Sequence, residues 1–417
     1  MTIKPQPTLI VGNTGAPLPN QANILTAVAW MDVTVRFDKF AGRMLIDGLP
    51  GYGPILDDTA LRHLWLKIDT ELGFRPAKEL FWDVVTNAAE GNGFHPVLDY
   101  LDGLRWDGAP RLETWLIEYA GAADTPFVRA VSKIVLIAAV RRVRQPGVKF
   151  DEMLVLESEQ GKNKSSALSV LAVKEEWFTD DVPLGSDSKQ VIERLSGHWI
   201  GEAAELKGMR KGDIEHLKAF LSRRRDKARL AYGRLTTEVP RQSIFVGTTN
   251  NKRYLKDQTG NRRFWPVEVE QFDIERLTAN RDQLWAEASA AEAKGESIRL
   301  DESLWAAAAE EQEGRATLDP YTETLSVYLG GLEGKIRSED VWTIIGLKPA
   351  QRHQEHNTRV GEAMQVLGWK RTKLRFGGPP AHAYVKGEAA HPQRIWVHRD
   401  RDDTVTVKLG SDDEEPM

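Results

Sequence analysis

The stretch DEMLVLESEQGKNKSSALSVLAVK, residues 151–174, narrows the possible folds more than any other. Its first eight residues form a short apolar run of strand length, then comes a turn bearing a glycine, then a segment with helical periodicity. Strand, turn and helix in that order are the frame of a phosphate-binding loop. The full pattern asks for glycine, four residues, then Gly-Lys-Ser/Thr. Here Lys164 and Ser165 occupy the lysine and hydroxyl positions, Ser158 and Asn163 stand in place of the two glycines, and Gly161 lies between them. Asparagine is among the few residues besides glycine that tolerate positive φ, so Asn163 can keep the turn. On this reading Gly161, Lys162, Asn163, Lys164, Ser165 and Ser166 cradle a triphosphate. Lys164 lies against the β- and γ-phosphates, Ser165 binds magnesium, and the helix N-terminus points at the anion. The competing reading of GKNKSS is a basic, polar surface turn.

Neighbouring segments favour the loop. HWIGEAAEL (198–206) sets Glu202 and Glu205 inside an otherwise apolar strand-like run. A nucleotide hydrolase needs such carboxylates, one to hold magnesium and one to orient the attacking water; a lone glutamate of this kind also caps helices. SIFVGTTNN ends a strand with Thr248, Thr249 and Asn250, polar groups suited to hold a water beside the γ-phosphate. In DQTGNRRFWPVEV, Arg262 and Arg263 precede a rigid aromatic-proline strand. Either one is placed to serve as an arginine finger on a neighbouring subunit's γ-phosphate, or both are exposed turn residues. Between the two strands, HLKAFLSRRRDKARLAYGR carries Lys218, Arg223, Arg224, Arg225, Lys227, Arg229 and Arg234 against Asp226 alone, with Tyr232 as a stacking surface. On a chain of formal net charge −5 this density of cations fits a groove for a nucleic-acid backbone, with binding that weakens as salt rises.

These motifs sit in an α/β block over residues 127–300, which opens with the helix-like FVRAVSKIVLIAAVRRV and closes with a charged helix near 273–295. Residues 1–20, rich in Pro, Gly, Asn and Thr, read as a flexible arm, and 21–126 as a mainly helical domain with a hairpin near VRFDKFAGRMLIDG. Residues 301–386 place helices before two strand-like runs around Gly-Gly-Pro-Pro, the pattern of a winged-helix module; 387–417 holds a further hairpin and an acidic tail. The chain has no cysteine, which excludes disulfides and thiolate metal sites. It lacks an export signal and a long apolar run, so a cytoplasmic protein without membrane contact is expected.

FHPVLDYLDGLRWDGAPRLETWL, PGVKFDEMLVLESEQGKNKSSAL, WIGEAAEL, FVGTTN and TGNRRFWPVEV, in this order, resemble the virulence-associated protein E family of phages and genomic islands. Members are P-loop ATPases similar to superfamily 3 helicases, a branch of the AAA+ class. The resemblance covers roughly residues 20–300. It implies an ATP- and Mg2+-dependent, ring-forming and hexameric ATPase that moves along or opens single-stranded or forked DNA during replication of a mobile element. By position it implies Lys164 and Ser165 as the nucleotide loop, Glu202 and Glu205 as the acidic strand motif and Asn250 as the sensor. Arg262 becomes the finger ahead of Arg263, and 218–234 the pore-facing basic region. Ser158 and Asn163 depart from the family's glycine-rich loop. No acidic-triad primase domain is seen in this chain, so priming, where needed, falls to a separate primase. Two rivals to a DNA helicase or translocase stay open: a nucleotide-switched DNA-binding initiator with little or no hydrolysis, and a non-enzymatic interaction protein.

Overall fold

The computed structural model describes residues 4–182, 186–204, 206, 211–228, 236–252, 254–255, 261–315, 319–388, 391–400 and 402–411. The chain forms two compact units, Met1–Arg315 and Ala316–Met417.

The first unit begins with α1 (Gln21–Trp30), the hairpin β1 (Thr34–Asp38) and β2 (Arg43–Asp47), α2 (Asp58–Leu72), α3 (Lys78–Gly91) and β3 (Gly93–Phe94). Helical spacing of Leu61, Leu64 and Ile68 on α2 and of Phe81, Val84 and Val85 on α3 buries one face of each helix against Ile24, Val35 and Ile46. Asp57 caps α2 by accepting the Ala60 N–H, and Gly73 ends it in the left-handed conformation. The segment read as an arm is tied to α1: Asn23 donates to the carbonyls of Ile10 and Leu18 and accepts from the Ile10 N–H. Next come α4 (Pro96–Gly103), α5 (Trp115–Ala120) and α6 (Pro126–Arg144). Almost every side of α6 is apolar and buried, as its sequence requires of a helix enclosed by other elements.

The α/β block continues with β4 (Met153–Glu157), α7 (Lys164–Leu171), β5 (Phe178–Thr179), α8 (Ser188–Leu195), β6 (Ile200–Ala203), α9 (Lys211–Ser222), β7 (Arg225–Ala228), β8 (Thr237–Pro240), β9 (Ile244–Thr249), β10 (Phe264–Glu268), α10 (Ile274–Ala293) and α11 (Trp305–Gly314). Its sheet has the order β10-β4-β9-β6-β5, and every adjacent pair is parallel. Apolar layers cover both faces, which is why β4 and β9 read as unbroken apolar runs. Along β4, Leu154 and Leu156 point into the layer with α6 and α10, while Met153 and Val155 point into the layer with α9. From β4 the chain crosses to the far edge, steps back through β6 and β9, and then passes over β4 to β10. The turns at the C-terminal ends of β4 and β9 therefore lead to opposite sides, the place where open parallel sheets form a binding crevice. Trp199 and Trp285 pack at a tilt, with ring centroids 4.2 Å apart, and hold α7: Trp285 Nε1 donates to the Leu171 carbonyl at 2.9 Å. α11 lies past residue 300 yet packs in this unit, with Ala308 in its core and Gln312 donating to the Phe264 carbonyl.

The second unit contains α12 (Pro320–Leu329), β11 (Gly334–Arg337), α13 (Ser338–Ile345), α14 (Gln354–Val366), β12 (Lys370–Leu374), β13 (Ala381–Lys386), β14 (Arg394–Arg399) and β15 (Val405–Gly410). Its sheet has the order β12-β13-β11-β14-β15. The last two strands, which the sequence reading separates at residue 387, extend this same sheet because the Lys335 N–H donates to the Gln393 carbonyl and Ile395 joins the core of α12–α14. Among the described residues no helix is long and apolar enough to cross a membrane.

β7 and β8 form a two-stranded hairpin beside α8. Asp226, on its inward face, is 4% exposed and receives two bonds from Arg241, also 4% exposed, at 2.6 and 3.1 Å. Removing one partner of a buried pair strands the other charge. Arg241→Ala is expected to cost about 3–5 kcal/mol, read by urea denaturation. Replacing both residues with apolar side chains of similar volume should recover most of that loss.

Candidate functional site

Between β4 and α7 the backbone turns through two left-handed residues, Gly161 (φ 80°) and Asn163 (φ 61°, ψ 25°). The glycine faces open space, and the asparagine stands at the N-cap of α7. The loop is held from outside by the Phe272 N–H, which donates to the Lys162 carbonyl at 3.2 Å. Lys164 folds back into the loop, its Nζ donating to the Ser158 carbonyl at 3.0 Å, to Ser158 Oγ at 2.7 Å and to the Glu159 carbonyl at 3.0 Å. Burial lowers its pKa from the ordinary lysine value, and the charge of Glu202 opposes that shift. Neutral acceptors on a partly desolvated ammonium are readily exchanged for an anion.

Beside it, Ser165 Oγ donates to Glu202 Oε1 at 2.9 Å, and Thr248 Oγ1 donates to the same oxygen at 2.5 Å. The parallel register of β6 and β9 produces this meeting, since Glu202 lies opposite Val246 and Thr248 follows two residues on. Glu202 is 2% exposed, and its Oε2 is buried without a hydrogen-bond partner. An orphaned carboxylate oxygen next to a serine hydroxyl fits a hard divalent cation such as Mg2+, which usually takes one or two carboxylates and fills its octahedron with phosphate and water. Among the described residues no group of three or more His, Asp or Glu is arranged to hold a metal by itself.

A cleft of about 810 Å³ opens at the C-terminal ends of β4, β9 and β10, lined in part by Ser158, Glu159, Lys162, Asn250 and Asn251. Asn250 is exposed there, just past β9. The structure thus brings together Lys162, Lys164, Ser165, Glu202, Thr248 and Asn250; Gly161, Asn163 and Ser166 belong to the same loop and the first turn of α7. Glu205 lies outside the described residues.

Arg262 and Arg263 lie elsewhere. β10 runs parallel to β4 with Phe264 opposite Met153, so both arginines stand where these strands begin and the loop stands where β4 ends. Four steps of strand separate the two places, about 13 Å at roughly 3.3 Å per residue. Arg263 is engaged by Asp151 at 3.4 Å, whereas Arg262 is exposed.

The basic stretch is divided by the fold. Lys218 corrects the sequence reading: it shares the inward face of α9 with Ile214, Leu217 and Leu221, is 7% exposed, and holds its ammonium 5.9 Å from the Phe264 ring. Arg223, Arg224, Arg225 and Lys227 are exposed at and along the β7 arm of the hairpin. Arg225 meets Glu238 across the hairpin at 3.3 Å, and Arg224 donates to the Gly147 carbonyl. Arg229, Tyr232 and Arg234 lie outside the described residues.

Sequence reasoning missed one network at the cleft. Glu157, the last residue of β4 and 2% exposed, accepts from Arg315 Nε at 3.1 Å, Arg315 Nη2 at 3.0 Å and the Tyr254 hydroxyl at 2.8 Å. Burial raises the Glu157 carboxyl against the pull of Arg315 and Tyr254. A charge closing an apolar strand is a signal that a partner exists. Nothing local points to an arginine 158 residues away.

The chain is similar to the apo structure of the NrS-1 C-terminal region, at 12% identity over 89% of this chain and 100% of that one, with a TM-score of 0.42. It is also similar to an A-form apo structure of that region, at 13% identity over 87% and 99%, with a TM-score of 0.42. Comparison with curated proteins gives no match. The family model described as the virulence-associated protein E-like domain matches residues 101–317, from the end of α4 through the whole parallel sheet and α11. The chain carrying this Ser165–Glu202–Thr248 junction belongs to the virulence-associated protein E-like family.

Proposed function

We propose that this chain is an ATP- and Mg2+-dependent P-loop ATPase of the superfamily 3 helicase-like AAA+ type, moving along or opening DNA during replication of a phage or other mobile element. The observation that carries this reading is the convergence of Ser165 and Thr248 on one oxygen of buried Glu202, with the other oxygen unsatisfied and the carboxylate's charge felt by Lys164. Loop, metal ligand and sensor come from three adjacent parallel strands, β4, β6 and β9, a layout that supports a P-loop core. In the second unit, the order helix, strand, helix, helix, strand, strand over α12 to β13 supports the winged-helix reading.

In this mechanism Lys164 leaves the Ser158 and Glu159 carbonyls for the β/γ-phosphates, and the α7 N-terminus receives the anion. Mg2+, when bound, would supply positive charge against what builds on the phosphates during transfer. Ser165 and Glu202 Oε2 are the residues that would hold it. Asn250 lies in the cleft, where it can orient a water near the γ-phosphate, with Glu205 as the second carboxylate of the motif. Arg262, exposed and distant from its own chain's loop, completes the site of an adjacent subunit in a homohexameric ring. Hydrolysis is thereby tied to the subunit interface, which is how turnover becomes movement on single-stranded or forked DNA.

Lys164→Ala is expected to reduce phosphate release to background; a variant that hydrolyses at the parental rate rules out the loop. Arg262→Ala should lower turnover by about 10³-fold while fluorescent-nucleotide binding persists, and mixing it with Lys164→Ala should restore part of the activity. Arg263→Ala, which breaks the pair with Asp151, should retain more turnover than Arg262→Ala. The replacement of the loop's second glycine by Asn163 favours one alternative, a nucleotide switch with little hydrolysis. Steady-state phosphate release with single-stranded DNA decides between them: stimulation fits the motor, and nucleotide binding without release under any condition fits the switch.

A further inference from the structure

In the second unit, α14 and the strand that follows it present two kinds of polar surface side by side. The inner side of α14 buries Val360, Ala363 and Met364. On its outer side Gln354, Thr358, Gly361 and Gln365 recur at the spacing of one helical stripe, i, i+4, i+7 and i+11, with Asn357 at the edge. The stripe is uncharged, and its four side chains are exposed. Glu355 and Glu362 lie along one flank; the Glu355 charge acts on Arg359, and Glu362 is engaged within the chain. A Cβ at Gly361 would meet nothing within 4 Å, so no packing inside the unit calls for glycine there. Glycine weakens a helix interior, and its use is to let another molecule come close to the backbone.

The strand begins where the helix ends. Gly368, at φ 84°, turns the chain, and the Trp369 N–H donates to the Met364 carbonyl at 2.8 Å, which fixes β12 against the C-terminal end of α14. Lys370, Arg371, Lys373 and Arg375 then follow, all exposed because β12 is the edge of the sheet. Arg371 lies opposite Tyr384 and Lys373 opposite His382. Tyr384 belongs to the core under α12–α14, so strand alternation brings Arg371 and Lys373 out on the face that carries the helices. Among the described residues no ion pair involves any of these four cations, whereas Arg352, Arg359 and Arg399 of the same unit are paired with Glu339, Asp319 and Asp403. A cluster of like charges without counter-charges repels itself. An external polyanion would relieve that repulsion.

We propose that this unit binds duplex DNA, with the Gln354–Gln365 stripe of α14 in the major groove and the cations of β12 on the flanking phosphates. A helix with its side chains is about 10–12 Å across, and the major groove of B-DNA is about 12 Å wide. Glutamine and asparagine side chains pair there with the N6 and N7 edge of adenine. The corresponding groove of an RNA duplex is too narrow for side chains to read, and a single strand has no groove. The surface uses no residue of the nucleotide loop or of the β7–β8 hairpin.

The test uses the full chain without nucleotide and a labelled mixed-sequence DNA duplex of two helical turns, titrated by fluorescence anisotropy between about 50 and 200 mM salt. Lys373→Gln with Arg375→Gln should weaken duplex binding about tenfold near physiological salt and reduce the slope of log K against log salt by about 1.8, roughly 0.9 per lost phosphate contact. Gly361→Glu, which adds bulk and negative charge in the middle of the stripe, should weaken duplex binding at least as much. Both variants should bind one strand of that duplex as the parent does. Circular dichroism and melting verify that they fold, and Gln365→Glu, at an exposed position, gives a second reading if either does not. In a Lys164→Ala background the same losses are expected, which keeps this result distinct from any failure of the nucleotide site. Parental duplex affinity and salt slope in Lys373→Gln/Arg375→Gln, parental duplex affinity in folded Gly361→Glu, equal losses on duplex and single strand, or an RNA duplex bound as tightly as the DNA, would overturn the proposal.

Discussion

Glu202 is a carboxylate set into a strand whose four residues are all buried. Burying a charge costs several kcal/mol unless hydrogen bonds or a counter-charge compensate. Two hydroxyl donors meet one of its oxygens and none meets the other. Each donor comes from a different element: Ser165 from the first turn of α7, Thr248 from the end of β9. The arrangement therefore requires β4, β6 and β9 in their observed order, and α7 docked closely enough for Ser165 to reach across. The apolar layers on both sides of the sheet, and the Trp199–Trp285 contact that anchors α7, hold that spacing. Stability and site geometry share one set of contacts here.

The loop in front of Glu202 solves a backbone problem with unusual residues. A left-handed residue costs an ordinary side chain about 1–2 kcal/mol, and asparagine escapes much of this by bonding locally. Asn163 takes the left-handed conformation at the N-cap of α7, where the usual pattern has glycine, and Gly161 takes it two residues earlier. Ser158, in place of the first glycine, contributes a carbonyl and a hydroxyl to Lys164. The substitutions thus preserve the turn and give the lysine temporary partners.

Much of this was legible in the amino-acid sequence because it is local. The run 151–174 declares strand, turn and helix within one window, and positive φ at Asn163 follows from residue type. Apolar runs marked β6 and β9, and helical spacing marked α2, α3, α6 and α10. Pairings between distant segments were not legible. Lys218 counts as one more cation in a basic stretch until the phase of α9 turns it inward onto Phe264. The opposing charge of Asp226 is taken up by Arg241, which lies outside that stretch. Arg315 has no local mark linking it to Glu157, and β14–β15 carry no signal that they extend the sheet of β11–β13. In each case the deciding interaction is a packing or ion-pair contact between segments whose meeting depends on tertiary structure.

The account rests on a metal–nucleotide complex lying between Lys164 and Glu202. A structure determined with Mg2+ and a non-hydrolysable ATP analogue tests this most directly. The account predicts a cation about 2.1 Å from Ser165 Oγ, close to Glu202 Oε2 directly or through one water, with Lys164 Nζ moved from the Ser158 and Glu159 carbonyls onto phosphate oxygens. Analogue bound elsewhere on the chain, or bound at the loop with Lys164 still on those carbonyls and no cation beside Glu202, would contradict it.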